Sequence, residues 1–457
     1  MAVICYVGGS TLKWCLDIGE SVVYAIARSC GSILKIVLMP AIIPPISRVI
    51  YTEVRNSEVG KFLGLDRRIA DHKLFAIAAS VVAIIHMVAH YLYNPDNFSK
   101  QPGITGVIML LSLALPLAGV FLSRWCIPAI NKFSYSTQIL RPHQLGAAVF
   151  VLAYAYHTTD GRLIWYAVGM YGVYVVDRVL ERLWYRYQTK IRKAAKIDGT
   201  DFMILSVDRP TWLIDIKPGQ FCMLSFPEID AELECGHPFT VISCRLEEIV
   251  FLIQKTGTWT TKLFDLINDE QTGKGLKIVV VGPFGSTLNS FYRHDKMAFI
   301  GTGIGITPFI SFLEYSLNEW KKIPLVDMHI SQRKFENFVP CIQTLENTND
   351  MNMCRLKVHF HFTGDADINL LDRKIKKYST DKVKLILNVG TERQVNMKVS
   401  KFENDRVIIV LVHLSRPDIN NIIKRADAVA VCGSHEVTNL VEKVAIDSAK
   451  RCYKETY

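Results

Sequence analysis

The chain has 457 residues, half of them hydrophobic, with a formal net charge of +10. That balance argues against a wholly soluble protein, and the length leaves room for two or three domains. The basic excess does not mark a nucleic-acid binder, because Lys and Arg gather between and just after apolar runs, where the positive-inside rule puts them. Eleven cysteines form no C-x-x-C pair and no metal-ligand spacing. Several, such as Cys30, Cys244 and Cys432, sit in apolar context, so reduced thiols facing the cytosol are expected. The first fifteen residues lack a basic region followed by a clean apolar core, and no cleavable signal peptide is expected.

Apolar stretches occur at about 22–46, 73–94, 104–123, 142–159 and 162–180. A membrane-crossing helix needs about 20 residues, so five spans are expected, with the chain ends on opposite sides. Arg48, Arg55, Lys61, Arg67, Arg68 and Lys73 separate the first two stretches. Arg124, Lys132 and Arg141 separate the third and fourth, and Arg182, Arg186, Lys190, Arg192, Lys193 and Lys196 follow the fifth. The other two connections hold one basic residue each. The alternation places the C-terminal part in the cytosol and the N-terminus outside.

His72 and His86 lie fourteen residues apart on the second stretch, and His143 and His157 fourteen apart on the fourth. On a helix that interval is close to four turns, so each pair shares one face, separated by roughly 21 Å along the axis. The two helices run in the same direction, so His72 meets His143 near the cytosol and His86 meets His157 near the outside. Two imidazoles facing each other across a bundle can hold a haem iron axially, and two such levels hold two haems. A single histidine in a membrane helix is equally a proton relay or a helix–helix hydrogen bond. Two identical spacings on parallel helices fit that reading poorly.

From about residue 190 the pattern changes to short alternating strands, FMILSVD, WLIDIK, FCMLSF, VFLIQKTG and KIVVVGPFG, as in a small antiparallel barrel. MAFIGTGIGITPFISFLEYSL then reads as buried strand, Gly-rich turn and helix. The later strands LVDMHIS, KVHFHFT, RVIIVLV and AVAVCGS belong to an α/β, mostly parallel sheet. In the turn Gly301, Thr302, Gly303, Ile304, Gly305, Ile306, Thr307, Pro308, the glycines admit a pyrophosphate to backbone amides at a helix N-terminus, or serve only as a tight connection. Upstream, His237, Pro238, Phe239, Thr240 and Ser243 sit on one barrel strand, where an aromatic can pack on a flavin ring and hydroxyls can reach ring or phosphate. Lys255, Gly257, Trp259 and Thr260 open a helical segment suited to flavin phosphates. Each piece alone is also readable as a turn or a core aromatic. Ser331 and Arg333 follow the strand LVDMHI, where an arginine could grip a nucleotide 2′-phosphate or simply be solvated.

Together these motifs resemble the NADPH oxidase and ferric reductase family of transmembrane flavocytochromes, over most of the chain from about residue 20. HPFTVIS is similar to the family's FAD motif, GTGIGITPF to its nicotinamide-nucleotide motif, and the four histidines to its haem ligands. Cys432-Gly433-Ser434 is similar to the family's Cys-Gly-Pro element beside the nicotinamide, and Ser415 to Asp418 to its Gly-Arg-Pro element, with serine replacing proline and glycine respectively. The resemblance implies a multi-domain membrane protein. An α-helical transmembrane haem bundle (1–185) would precede a ferredoxin-reductase-like module, made of an antiparallel β-barrel FAD domain (186–292) and an α/β NADPH-binding domain (293–457). Family members commonly have six membrane helices, so one N-terminal helix is expected to be missing.

The implied activity carries electrons from cytosolic NADPH through FAD and two b-type haems to dioxygen outside, giving superoxide. A ferric-chelate reductase could use the same path. A non-enzymatic membrane scaffold is disfavoured by the intact motifs. Arg28 and His90 resemble the polar pair beside the outer haem of oxidases, although Arg28 could snorkel and His90 could cap the helix end. Related reductases tend to end on an aromatic that covers the flavin, which casts Tyr457 as a gate over the nicotinamide position or as a frayed tail. The expected partners are a small-molecule electron acceptor and membrane lipid, in the plasma membrane or an endomembrane. No nucleic acid is expected, no accessory subunit is indicated, and no EF-hand calcium loop is seen.

Overall fold

The computed structural model describes residues 2–57, 68–121 and 141–455, apart from 160, 212, 214–215, 230–235, 268–272, 286–287, 319–321, 349–354, 366 and 390–406. Tyr457 and the basic residues Lys61, Arg67, Arg124 and Lys132 lie outside the described residues. Contacts divide the chain into two units, Met1–Tyr51 with Arg67–Leu183, and Thr52–Asp66 with Trp184–Tyr457.

The first unit is helical: α1 (Ala2–Asp17), α2 (Val22–Ile46), the first turn of α3 (Arg48–Asn56), α4 (Arg68–Tyr93), α5 (Gln101–Phe121), α6 (Arg141–Ala155) and α7 (Arg162–Leu180). A helix thus occupies most of each of the five apolar stretches. Among the described residues, His72–Tyr93 and Arg162–Tyr185 are long and apolar enough to cross a membrane, and Gln101–Leu115 is a shorter apolar segment. The core joins Val37 and Leu38 of α2, Ala79 of α4, Phe150 and Tyr154 of α6, and Leu163, Ala167 and Met170 of α7. Large apolar side chains also face outward, among them Leu74, Ile77, Leu92 and Trp165.

One expectation is corrected here, because the N-terminal region does contain a helix before residue 22. Helix α1 packs on α2, where Ser29 Oγ donates to Gly8 O at 2.7 Å and Thr11 Oγ1 lies 3.2 Å from Ser32 Oγ. The approach is close enough that a Cβ on Gly8 would come within 2.7 Å of Ile33 Cδ1. Gly8 is thus a small residue at the contact of the two helices.

In the second unit, strands β1 (Arg186–Lys196), β2 (Phe202–Asp208), β3 (Phe221–Ser225), β4 (His237–Cys244), β5 (Glu248–Gln254) and β6 (Lys277–Phe284) close a barrel in the order β1-β2-β5-β4-β3-β6. Every neighbouring pair is antiparallel. WLIDIK is not a strand among its described residues. Its place is taken by β1, a basic stretch in which only Ile191 and Ala194 are buried, and whose polarity hid it. Helix α8 (Thr258–Leu266) follows β5.

The other half of this unit is a seven-stranded sheet. Its strands are β7 (Lys296–Thr302), β8 (Leu325–Gln332), β9 (Leu356–Phe362), β10 (Val383–Leu387), β11 (Ile408–His413), β12 (Ala428–Cys432) and β13 (Arg451–Glu455). They lie in the order β10-β11-β9-β8-β7-β12-β13, every pair parallel. The connections include α9 (Thr307–Asn318), α10 (Val339–Glu346), α11 (Ile368–Tyr378), α12 (Ile419–Arg425) and α13 (His435–Asp447). Chain order runs outward from β7 through β8 and β9 on one side and returns to β12 on the other. The sheet therefore has its switch point between β7 and β12, where open α/β sheets bind ligands at the carboxyl ends of their strands.

In the helical unit, Asp177 of α7 is fully buried. Its carboxylate accepts from Arg48 N (2.8 Å), Val49 N (2.9 Å) and Ile50 N (2.9 Å), the first amides of α3, and pairs with Arg178 at 2.7 Å. A buried anion on otherwise unpaired helix N-terminal amides stabilises both partners. Asp177→Ala should cost about 1–2 kcal/mol, read as a lower thermal midpoint of the detergent-solubilised full chain by circular dichroism. An unchanged midpoint would refute the role.

Candidate functional site

The helical unit brings its histidines together at two levels. The rings of His72 (α4) and His143 (α6) are centred 5.8 Å apart, and those of His86 (α4) and His157 6.2 Å apart. Two imidazoles that share one metal ion, each through a bond of about 2 Å, put their ring centres roughly 6 Å apart. All four line a cavity of about 550 Å³, within the range of pockets that hold sizeable ligands. The residues therefore fit a bis-histidine metal centre.

Neighbouring groups set the pair His86 and His157. His86 Nδ1 lies 2.8 Å from Ala27 O. A carbonyl only accepts, so Nδ1 carries the proton and Nε2 keeps its lone pair. His157 Nδ1 lies 3.1 Å from Thr105 Oγ1. Such contacts orient metal-binding imidazoles. Gly31 makes room for the His86 ring, since a Cβ there would come within 3.2 Å of it.

His157 is not on a helix. Helix α6 ends at Ala155, and His157 sits in the following turn, its amide bonded to Tyr154 O at 3.2 Å. The helix therefore ends earlier than hydropathy suggests. Arg28 of α2 and His90 of α4 line the same cavity, and the His90 ring stands edge-on to His86 at 4.6 Å.

In the barrel, His237, Pro238, Phe239, Thr240 and Ser243 all lie on β4. The Trp259 ring at the start of α8 packs against His237 at 4.5 Å and Phe239 at 5.5 Å, so the two motifs form one aromatic group. Thr240 and Ser243 are buried, and Ser243 Oγ has no hydrogen-bond partner among the described residues. Thr260 Oγ1 accepts from the amides of Thr256 and Gly257, both at 3.0 Å, and thereby caps α8. Gly257 has extended backbone and open space where a Cβ would stand, so neither requires glycine there. Lys255 reaches Asp265 at 3.7 Å.

At the switch point of the sheet, Cys432 is in register with Gly301. A Cβ on Gly305 would collide with the Cys432 carbonyl, and one on Gly433, at φ +155°, with Thr302 Oγ1. Gly303, at φ +57°, makes the left-handed turn into α9. Thr307 is buried and its hydroxyl donates to Ile304 O at 3.1 Å, and Pro308 sits in the first turn of the helix. Cys432 is buried, and burial pushes its thiol up, so it stays protonated. Arg333 is exposed just past β8, near Ser331, whose Oγ is buried without a hydrogen-bond partner among the described residues. An orphaned buried hydroxyl costs about 1–3 kcal/mol, and a bound ligand would relieve that cost at Ser243 and Ser331. The residues of both motifs thus fit a flavin and a nucleotide.

Two contacts here were not legible in the sequence. Gln332 Nε2 donates to Gly303 O at 2.8 Å, tying β8 to the Gly-rich turn. The Ser434 amide donates to Thr302 Oγ1 at 3.3 Å, and its side chain caps α13 by accepting from Val437 N at 3.5 Å. A proline at 434 would lack that amide hydrogen, so the departure from the Cys-Gly-Pro pattern adds a link across the switch point. Tyr457 is not described, but Glu455, two residues before it, pairs with Cys432.

An FAD-binding domain model matches residues 186–288, and a ferric reductase NAD-binding domain model matches residues 294–446. The chain is 25% identical over 396 residues to a superoxide-generating NADPH oxidase heavy chain of Dictyostelium discoideum, covering 72% of this chain and 55% of that protein. It is 26% identical over 383 residues to a second superoxide-generating NADPH oxidase heavy chain of the same organism, covering 74% and 72%. Probable ferric reduction oxidase 1 of Arabidopsis thaliana is 25% identical over 262 residues, covering 56% and 35%. The chain thus spans about half the length of the first of these relatives.

Gly305→Ala should wedge the Gly-rich turn away from Cys432. Nucleotide affinity should fall at least tenfold, about 1.4 kcal/mol, while flavin content is retained. Titration of the purified full chain with NADP⁺ measures this, and unchanged affinity would contradict the close approach.

Proposed function

We infer the function from one premise: the chain belongs to the NADPH oxidase and ferric reductase family. It is an integral, multi-pass membrane oxidoreductase that takes electrons from cytosolic NADPH and delivers them to dioxygen on the opposite side, producing superoxide. The observation that carries this reading is the cavity in which His72 faces His143 and His86 faces His157. Residues 1–185 form the haem-bearing membrane domain, 186–292 the flavin domain, and 293–457 the nucleotide domain. Helix α1 adds a sixth helix, and if it also crosses, both chain ends face the cytosol.

When bound, FAD would supply two-electron hydride acceptance from NADPH and two b-type haems one-electron transfer. His72 with His143, and His86 with His157, would supply the imidazole nitrogens that hold the haem irons. Ala27 O and Thr105 hold the outer two rings with Nε2 facing inward. Phe239 and Trp259 give the flavin an apolar wall, and Thr240 and Ser243 offer it hydroxyls. The Gly301–Gly305 turn and the N-terminus of α9 receive the nucleotide pyrophosphate. Cys432 and Gly433 flank the nicotinamide as a compact, uncharged edge. Arg28 and His90 stand beside the outer pair, where positive charge favours an anionic product as it forms.

A second reading, ferric-chelate reduction by the same residues, is favoured by the ferric reductase domain match and by the Arabidopsis relative. The purified chain with NADPH and FAD separates the two. An oxidase reduces a reporter in a superoxide-dismutase-sensitive way in air, whereas a ferric reductase reduces a ferric chelate at least as fast under nitrogen.

His86→Ala or His157→Ala should remove one haem per chain and abolish acceptor reduction, while NADPH-driven dye reduction persists. Full haem content in all four single histidine variants would disprove the ligand set. Arg333→Ala should lower kcat/KM for NADPH by about tenfold, the worth of one charge-assisted contact, and leave NADH unchanged. Equal losses with both nucleotides would remove Arg333 from 2′-phosphate recognition.

A further inference from the structure

Strands buried in a parallel sheet are ordinarily apolar on both faces. Strands β8, β9 and β11 depart from this. One face buries Val326, Met328, Ile330, Val358 and Phe360 in the main core. The other carries Asp327, His329, His359, His361 and His413, four of the chain's twelve histidines. Register sets His329 beside His359 and His361 beside His413.

The hydrogen-bond directions within this group can be followed. His361 Nδ1 lies 2.8 Å from Ser415 O, which can only accept, so Nδ1 carries a proton. With Nδ1 protonated, the neutral His361 ring presents Nε2 as an acceptor. His329 Nδ1 must then donate across the 3.1 Å to it. A neutral His329 that donates through Nδ1 keeps its lone pair on Nε2. That nitrogen lies 3.0 Å from Asp327 Oδ1, and both atoms are buried without a hydrogen-bond partner among the described residues. His359 Nε2 lies 3.3 Å from the same oxygen. A nitrogen lone pair facing a carboxylate oxygen is repulsive unless a cation sits between them.

We propose that Asp327, His329 and His359 bind a divalent transition metal of the zinc class. One donor atom from each residue lies within 4.8 Å of the others. Two imidazoles and a carboxylate suit zinc, and three protein ligands leave a fourth position open. His361 and His413 are positioning residues, holding the far nitrogens of His329 and His359 at 3.1 Å and 2.9 Å. Asn388 Nδ2 lies 2.9 Å from His413 Nδ1. Exchanging the amide nitrogen and oxygen of Asn388, a choice set only by the hydrogen-bond network, reverses that arm and turns the His359 Nε2 lone pair toward the ion. The site is independent of the electron acceptor.

The test is equilibrium dialysis of the untagged, haem- and flavin-loaded full chain against Zn²⁺ after chelator treatment, with bound metal counted by mass spectrometry. Wild type should retain about one zinc per chain. Asp327→Asn and His329→Gln should each weaken it at least tenfold, His361→Asn by about tenfold as an outer-shell change, and the exposed His435→Gln not at all. Zinc should also raise the unfolding midpoint of wild type but not of Asp327→Asn. Should a variant lose its flavin, X-ray absorption on the wild type decides, with a nitrogen- and oxygen-only shell expected. Absence of saturable zinc below millimolar concentration, equal binding by both ligand variants, or sulfur in the shell would overturn the site and leave a proton as the only bridge.

Discussion

The reductase half of this chain depends on one close approach, the parallel pairing of β7 with β12. That pairing sets two chain reversals, Gly301–Gly305 and Cys432–Ser434, against each other with no room for side chains between them. Glycine at 305 and 433 is a packing requirement there before it is a ligand requirement. The same crowding leaves backbone amides and a helix N-terminus at one edge of the sheet, which is what an anionic nucleotide needs. Gln332 and Ser434 then hold the turn from either side. The proposed nucleotide site is therefore a by-product of how the sheet closes its switch point.

The helical unit follows a similar logic with different materials. Gly31 of α2 stands where the His86 ring of α4 passes, and leaves it room. The backbone of α2 and a hydroxyl of α5 orient the outer rings. In an apolar surround a polar side chain without a partner is costly, so these contacts select the ring position as well as the tautomer. The arrangement supports the proposed haem ligation on two counts, ring separation and tautomer, neither of which follows from the count of histidines.

The imidazole-lined face of the sheet obeys the opposite rule. There the polar groups are brought together, chained by hydrogen bonds, and left with two acceptors facing each other at Asp327 and His329. An ordinary core would have resolved that conflict with an apolar residue, since alternation along β8 and β9 is otherwise kept. The strands give up apolar packing on this face, and a bound cation is the simplest compensation.

Much was readable from residues alone. Hydropathy located the helices after residue 20, alternation located most strands, and the motifs HPFTVIS and GTGIGITPF identified the flavin and nucleotide segments, because each of these signals is local. The equal spacing of two histidine pairs was enough to bring His72 to His143 and His86 to His157. The sequence could not disclose that His157 lies past the end of its helix, that Gly8 is a helix contact, or that the basic run 186–196 is a barrel strand. Those depend on what packs opposite. Nor could it disclose the Asp327, His329 and His359 group, whose third member meets the other two only across strands about thirty residues apart. Register in a parallel sheet is decided by the whole fold, and only there do side chains that look unremarkable along the chain become neighbours.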